Sequence, residues 1–162
     1  GIPRRRRRAI KKRWGKRMAT LERAIAIAAM AHEGQVDKAG MSYVLHPLRM
    51  MLSVDTPEAR IAAVLHDVVE DTEVTLEQLR AERFPDAVIE VVEALTKRDG
   101  EDYEAFIRRV APNSIARKVK LADLRDNSDL SRIAAPTERD RQRIEKYRRA
   151  IQYLERFDLR SV

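Results

Sequence analysis

Ala62-Ala63-Val64-Leu65-His66-Asp67-Val68-Val69-Glu70-Asp71 is the stretch on which the fold turns: an apolar run bearing His-Asp and, one turn later, Glu-Asp. Read as a helix, 67, 70 and 71 share a face, as do 66 and 70, because surface neighbours on a helix lie three and four apart. One imidazole and three carboxylates then crowd one region beside a hydrophobic segment. Carboxylates gathered this way repel each other and lose hydration unless a base or a metal compensates them. The competing reading is a solvated helix end preceded by a histidine.

Working outward, the pattern is all-α. Leu21, Ile25, Ala28 and His32 fall at helical offsets, so a helix from about Thr20 to Glu33 carries His32 on its buried face. Residues 34–45 form a loop, and a helix begins near Pro47, a residue tolerated in a first turn. Thr56-Pro57-Glu58 supplies a capping hydroxyl, a first-turn proline and an acid at the positive dipole end, and starts the helix that carries the opening motif. Thr75-Leu76-Glu77-Gln78 is a capping box for a helix ending before Pro85. The β-branched run 86–96 could pass for a strand, but Val88, Val91, Val92 and Leu95 are spaced for a buried helix. Helices follow over 101–110, 114 to about 126, and from Pro136-Thr137 to about Phe157. The last has Ile144, Tyr147, Ile151 and Leu154 as its apolar stripe and arginines along its solvated face.

The chain has 162 residues, enough for one domain with a real core. It has no cysteine, so disulfides and thiolate metal sites are excluded and any metal must be held by His, Asp or Glu. No run approaches the roughly 18 apolar residues of a membrane span, and no apolar signal core follows the basic start, which points to a cytoplasmic protein. The overall charge of +7 is uneven. Residues 1–17 hold ten basic side chains and no acid, and removing those ten leaves −3 for residues 18–162. The division expected is therefore a basic, disordered tail over 1–17 and a mildly acidic folded domain over 18–162, with Met18 resembling a natural start. Such a tail can hold nucleic acid or an acidic surface through phosphate contacts without sequence preference.

Three histidines are present: His32, His46 and His66. Two lie on helices otherwise built from Ala, Leu and Val, and Asp123 sits inside Val119-Lys120-Leu121-Ala122-Asp123-Leu124 in the same manner. Two imidazoles and two carboxylates from three helices make a cage for one divalent ion. Mixed nitrogen and oxygen ligation without sulfur suits Mn²⁺, Fe²⁺ or Zn²⁺ better than Ca²⁺ or Mg²⁺.

The series His32, His66-Asp67, Asp123 resembles the signature of HD-domain metal-dependent phosphohydrolases. The surrounding words Ala31-His32-Glu33-Gly34-Gln35, Tyr43, His46-Pro47, Leu65 to Thr72 and Val119 to Asp123 are similar to the hydrolase domain of RelA/SpoT homologues, over about residues 20–135. With no room for a synthetase domain, the chain resembles the stand-alone small alarmone hydrolases. The resemblance implies a multi-helix bundle around one divalent ion, and Mn²⁺-dependent removal of the 3′-pyrophosphate of ppGpp or pppGpp to give GDP or GTP. It assigns the metal to His32, His66, Asp67 and Asp123, and water activation to Glu70 and Asp71. It assigns nucleotide contacts to Arg23, Lys38, Tyr43 and Asn127, and a structural place near the site to His46.

A carboxylate pair one turn from the ligands can accept a proton, while Lys38, Arg23 and Lys120 can supply positive charge for phosphoryl transfer. Departures are Ser42, Asp37 and the word Leu124-Arg125-Asp126-Asn127, in which Asp126 brings negative charge toward the phosphates and weighs against strict (p)ppGpp preference. The alternatives are therefore another nucleotide, (p)ppApp or NADPH, and a nucleotide-sensing module with a basic tail. Oligomeric state is not legible.

Overall fold

The computed structural model describes residues 18–160; the expected tail over 1–17 lies outside them. Among the described residues the fold is all-α, with one isolated antiparallel bridge between Val36 and Ser42. The helices are α1 (Leu21–Ala31), α2 (Leu45–Ser53), α3 (Pro57–Leu65), α4 (Val68–Asp71), α5 (Leu76–Ala81), α6 (Asp86–Leu95), α7 (Tyr103–Val110), α8 (Ser114–Asn127) and α9 (Glu138–Arg160). A single 3₁₀ turn, Leu130–Arg132, joins the last two.

The starts are chemical. Thr20 and Thr56 accept from the backbone N–H three residues on, both at 3.2 Å, and Pro57 occupies the first turn of α3. Thr75 and Gln78 form the reciprocal capping box of α5. Asp102 caps α7 at 2.7 Å, and Asn113 caps α8 with bonds of 3.1 and 3.0 Å.

Helix α3 is the axis of the molecule. Ala59 and Ile61 through Leu65 are all buried, so it has almost no solvated face, and it packs on α1, α2, α6 and α8. Its small residues Ala59, Ala62 and Ala63 face Met50, Val91, Val119 and Ala122, and Val64 and Leu65 face Ala28, Val88 and Val92 on the other side. The run 86–95 is a helix, as its spacing predicts, because burial of Val88, Ile89, Val91, Val92 and Leu95 on one stripe outweighs the modest strand preference of valine. On α9, Ala150 and Leu154 pack against Ile107, Leu121 and Leu124, with Tyr147 and Ile151 beside them.

Two boundaries differ from the sequence-based expectation. The second helix starts at Leu45, so Pro47 lies inside its first turn, where a missing N–H costs nothing. The helix expected to carry the whole opening motif ends at Leu65, and His66 and Asp67 form a turn before α4. Both keep right-handed backbone angles, and the Asp71 N–H still donates to the Asp67 carbonyl at 2.9 Å. The side chains of 67, 70 and 71 therefore still share one face. No helix among the described residues is long and apolar enough to cross a membrane.

Candidate metal centre

Three chain ends converge where α1, α3 and α8 meet. His32 stands just past the end of α1 and His66 just past the end of α3, while Asp123 projects from the middle of α8. All three are buried, at 2%, 3% and 6% exposure, deep enough that each polar atom needs a partner.

The tautomers follow from what faces them. Gly34 takes φ +81° and turns the chain back so that Gln35 reaches both His32 and α4. The Gln35 amide nitrogen donates to the Asp71 carbonyl at 3.2 Å, which leaves its oxygen to accept from His32 Nδ1 at 2.8 Å. His66 Nδ1 donates to the Ala63 carbonyl at 2.7 Å. In both rings the hydrogen of the neutral form is thereby fixed on Nδ1 and the Nε2 lone pair points into the cluster. Neither Nε2 has a hydrogen-bond partner among the described residues.

Carboxylates stand opposite those lone pairs. His66 Nε2 lies 2.9 Å from Asp67 Oδ2 and 3.7 Å from Asp123 Oδ1. Burial disfavours a charged His66 ring, yet Asp67 and Asp123 outweigh it and lift its pKa to about 10. A proton here does the work of a cation between two acids, and a divalent ion does it with more charge. Tyr43 donates its hydroxyl to Asp67 Oδ2, and burial together with Asp67 raises the Tyr43 pKa, so it stays a donor. His46, His66 and Asp67 each offer a ligand atom within 4.8 Å of the others and can hold a divalent ion. The donor set fits such an ion: imidazoles, carboxylates, no thiolate, and two buried ring nitrogens that make no hydrogen bond.

Asp123 is the most heavily supported acid. It accepts from Lys120 Nζ at 2.7 Å, Asn127 Nδ2 at 2.7 Å and His46 Nε2 at 3.1 Å. Burial opposes its charge, but Lys120, His46 and His66 hold its pKa well below the usual carboxylate range. Lys120 itself lies 5.0 Å over the Phe106 ring.

In front of this cluster opens a cleft of about 300 Å³, lined by Tyr43, Asp67, Glu70, Asp71, Lys97, Tyr103, Phe106, Lys120, Asp123, Leu124, Asn127 and Tyr147. Glu70 accepts from the Lys97 backbone N–H at 3.0 Å, which fixes its carboxylate at the rim. Burial, Asp67 and Glu70 raise the pKa of Asp71, making its carboxylate a better proton acceptor than an ordinary aspartate.

Among the residues expected at the site, Tyr43, Glu70, Asp71 and Asn127 line this cleft with Asp67 and Asp123. Arg23 and Lys38 do not. Arg23 makes two bonds to Glu82, at 2.8 and 2.5 Å, and lines a separate groove with Ile27, Met30 and Gln78. Lys38 reaches Asp140 at 3.3 Å. Asp126, expected to face the phosphates, turns aside from the cleft and bonds His46, Arg49 and Arg132. The reason is helical geometry: position 126 is three residues, or nearly one turn, from 123 but stands over α2, whose cations attract it. Lys97, Tyr103, Phe106 and Tyr147 belong to the cleft without having been singled out in the sequence, and no local motif marks them.

Comparison with known families gives a match to the HD domain model over residues 24–153. The chain is a member of the HD domain family. This HD domain is 34% identical over 119 residues to the guanosine-3′,5′-bis(diphosphate) 3′-pyrophosphohydrolase of Aquifex aeolicus, covering 66% of the chain and 17% of that protein. It is 41% identical over 105 residues to the Haemophilus influenzae protein of that name, covering 62% of the chain and 15% of the relative. A Streptomyces coelicolor GTP pyrophosphokinase is 38% identical over 117 residues, covering 64% of the chain and 14% of its own length. The HD domain thus corresponds to a small part of each of these longer proteins. Among solved structures, a metazoan ortholog of SpoT described as hydrolysing ppGpp superposes with a TM-score of 0.71 at 25% identity, covering 85% of this chain and 86% of that one. The chain is thus an HD domain related in sequence to parts of longer proteins named as ppGpp hydrolases and GTP pyrophosphokinases.

Proposed function

We propose that residues 18–162 act as a metal-dependent 3′-pyrophosphohydrolase of ppGpp and pppGpp, with Mn²⁺ held by His32, His66, Asp67 and Asp123. The observation that carries this is the pair of buried Nε2 lone pairs, each fixed by a bond at Nδ1 and each without a partner, set beside two carboxylates. A purely structural cluster would have satisfied those nitrogens. A divalent ion, when bound, supplies Lewis acidity and neutralises charge on the phosphoryl oxygens.

The chain's own residues supply the rest. Asp71, raised in basicity and steadied beside Glu70, accepts a proton from the attacking water, while Glu70 orients that water from the rim. The oxygen–phosphorus bond to the ribose 3′-oxygen breaks, that oxygen takes up a proton, and pyrophosphate leaves. Lys97 and Lys120 offset the phosphate charge, and Tyr103, Phe106 and Tyr147 give the nucleoside an apolar wall that excludes water. Tyr43 and Asn127 hold Asp67 and Asp123 in place and border the substrate. Arg23 and Lys38 contribute only by leaving Glu82 and Asp140.

The test is pyrophosphate release from ppGpp by purified protein with and without Mn²⁺, with ppApp and NADPH as parallel substrates. Mn²⁺-dependent release from ppGpp is expected. Normal Mn²⁺ binding with no release from ppGpp would overturn the substrate assignment, and release from ppApp or NADPH instead would replace it.

A further inference from the structure

The metal cleft has a second supporting face, reached from outside the cleft. Asp126 lies on the face of α8 next to the one that lines the cleft and borders a groove with Arg49, Ser53, Lys118 and Arg125. Arg49 grips its carboxylate with two bonds, Nε to Oδ1 at 2.8 Å and a terminal nitrogen to Oδ2 at 3.0 Å. Arg132 donates to its carbonyl at 2.8 Å and stands 3.5 Å from both side-chain oxygens. So anchored, Asp126 Oδ2 accepts from His46 Nδ1 at 2.7 Å, and on the far edge of the same ring Nε2 faces Asp123 Oδ1 at 3.1 Å.

Each His46 nitrogen is therefore hydrogen-bonded to a carboxylate oxygen, Asp126 on one edge and Asp123 on the other. That distinguishes His46 from His32 and His66, whose Nε2 atoms make no hydrogen bond, His66 Nε2 lying 2.9 Å from Asp67 Oδ2 without bonding it. A ring engaged at both edges offers an ion no free nitrogen while those bonds hold. It can instead set the position of the acid next to it.

We infer that Asp126 is a positioning residue for the metal centre, acting through His46 to fix Asp123 as a ligand. The relay runs from Arg49 and Arg132 on the outer face, through Asp126 and the His46 ring, to Asp123 Oδ1, with every donor matched to an acceptor. Such outer partners orient a ligand before the ion arrives, and loss of one weakens metal affinity by roughly 10- to 100-fold. Asp126 has no path to the nucleotide, because it does not line the cleft. Its loss is thus expected to spare substrate binding once metal is saturating.

This inference rests on the metal-site assignment above, and the two fail differently. Free Mn²⁺ is measured by its electron paramagnetic resonance signal against wild type, Asp126→Asn, Asp126→Glu and His46→Gln, with thermal melting alongside. Asp126→Asn is expected to weaken Mn²⁺ binding about tenfold, with an unchanged KM for nucleotide at saturating Mn²⁺. Asp126→Glu, which keeps an accepting carboxylate, is expected to recover most of that loss. His46→Gln, which keeps one N–H donor for Asp123, is expected to lose no more than Asp126→Asn. Wild-type affinity in Asp126→Asn overturns the inference, as does equal weakening in Asn and Glu variants that tracks a lower melting temperature. Complete loss of Mn²⁺ in His46→Gln also overturns it, because His46 would then be a ligand. Failure of the wild type to bind Mn²⁺ removes the metal-site assignment instead.

Discussion

The cluster at His66 and the corner at Arg109 are both knots of charge against the core, and they are built on opposite principles. At the corner, Arg109 makes paired bonds to Glu101 at 2.8 and 2.9 Å and donates to the Ala94 and Thr96 carbonyls at 3.1 and 3.0 Å. Glu101 also accepts from the Arg98 backbone N–H at 3.0 Å. A cation on the last carbonyls of α6 and a bidentate acid behind it leave little unspent, and the result ties α6 to α7. At the cluster, two imidazole nitrogens are buried without a partner while acids stand beside them. Unsatisfied groups of that kind cost about 1–3 kcal/mol each. Under the proposed function, a bound ion offsets that cost.

The contrast predicts unequal responses to mutation. The largest belongs to Asp67→Ala, expected to abolish Mn²⁺ binding and turnover together while the melting temperature without metal changes little. A calorimetric titration with Mn²⁺ checks it, and retained binding would place Asp67 outside the ligand set. Next is Glu70→Gln, expected to keep Mn²⁺ affinity and lower kcat by about 10²–10⁴, the range for removing a positioned proton acceptor or water-orienting group. Equal loss of metal would make Glu70 a ligand.

The corner should behave in the reverse sense. Arg109→Met is expected to destabilise by about 2 kcal/mol, since it orphans two carbonyls and an acid, and to lower the melting temperature by roughly 4–8 °C. Mn²⁺ affinity should not move. The smallest effect is pH-dependent. The paired bond from Arg109 holds the Glu101 pKa down at about 2, against 4.5 unperturbed. A folded-state value below the unfolded one means the stabilisation is full above about pH 4.5 and fades as pH falls toward 2. Melting of Glu101→Gln should therefore lie below wild type at neutral pH and converge with it in acid. A constant gap across that window would show that the ion pair is not the source.

Much of the fold was legible because its signals are local. Thr56-Pro57 and the Thr75–Gln78 box announce helix starts within four residues, and the stripe over 88–95 identifies a helix despite its valines. The His66–Asp67 turn was not legible, since its backbone barely leaves helical angles and no proline or glycine marks it. His32, His66 and Asp123 could be singled out as candidates because their type is improbable on apolar helices. The long-range contacts around them could not: the Asp126–His46 bond spans 80 positions, Lys97–Glu70 spans 27, and the Arg23–Glu82 pair that holds Arg23 away from the cleft spans 59. Asp126 shows the consequence. Its charge suggested a phosphate-facing departure, whereas Arg49 and Arg132 draw it aside from the cleft.

In the proposed function the unpartnered Nε2 atoms of His32 and His66 face a divalent ion. Titration of Mn²⁺ followed by electron paramagnetic resonance tests it most directly, on wild type, His32→Ala and His66→Ala. One equivalent bound by wild type and marked weakening in both variants is the result predicted. Mn²⁺ left free by the wild type, or bound unchanged after loss of either histidine, would contradict it.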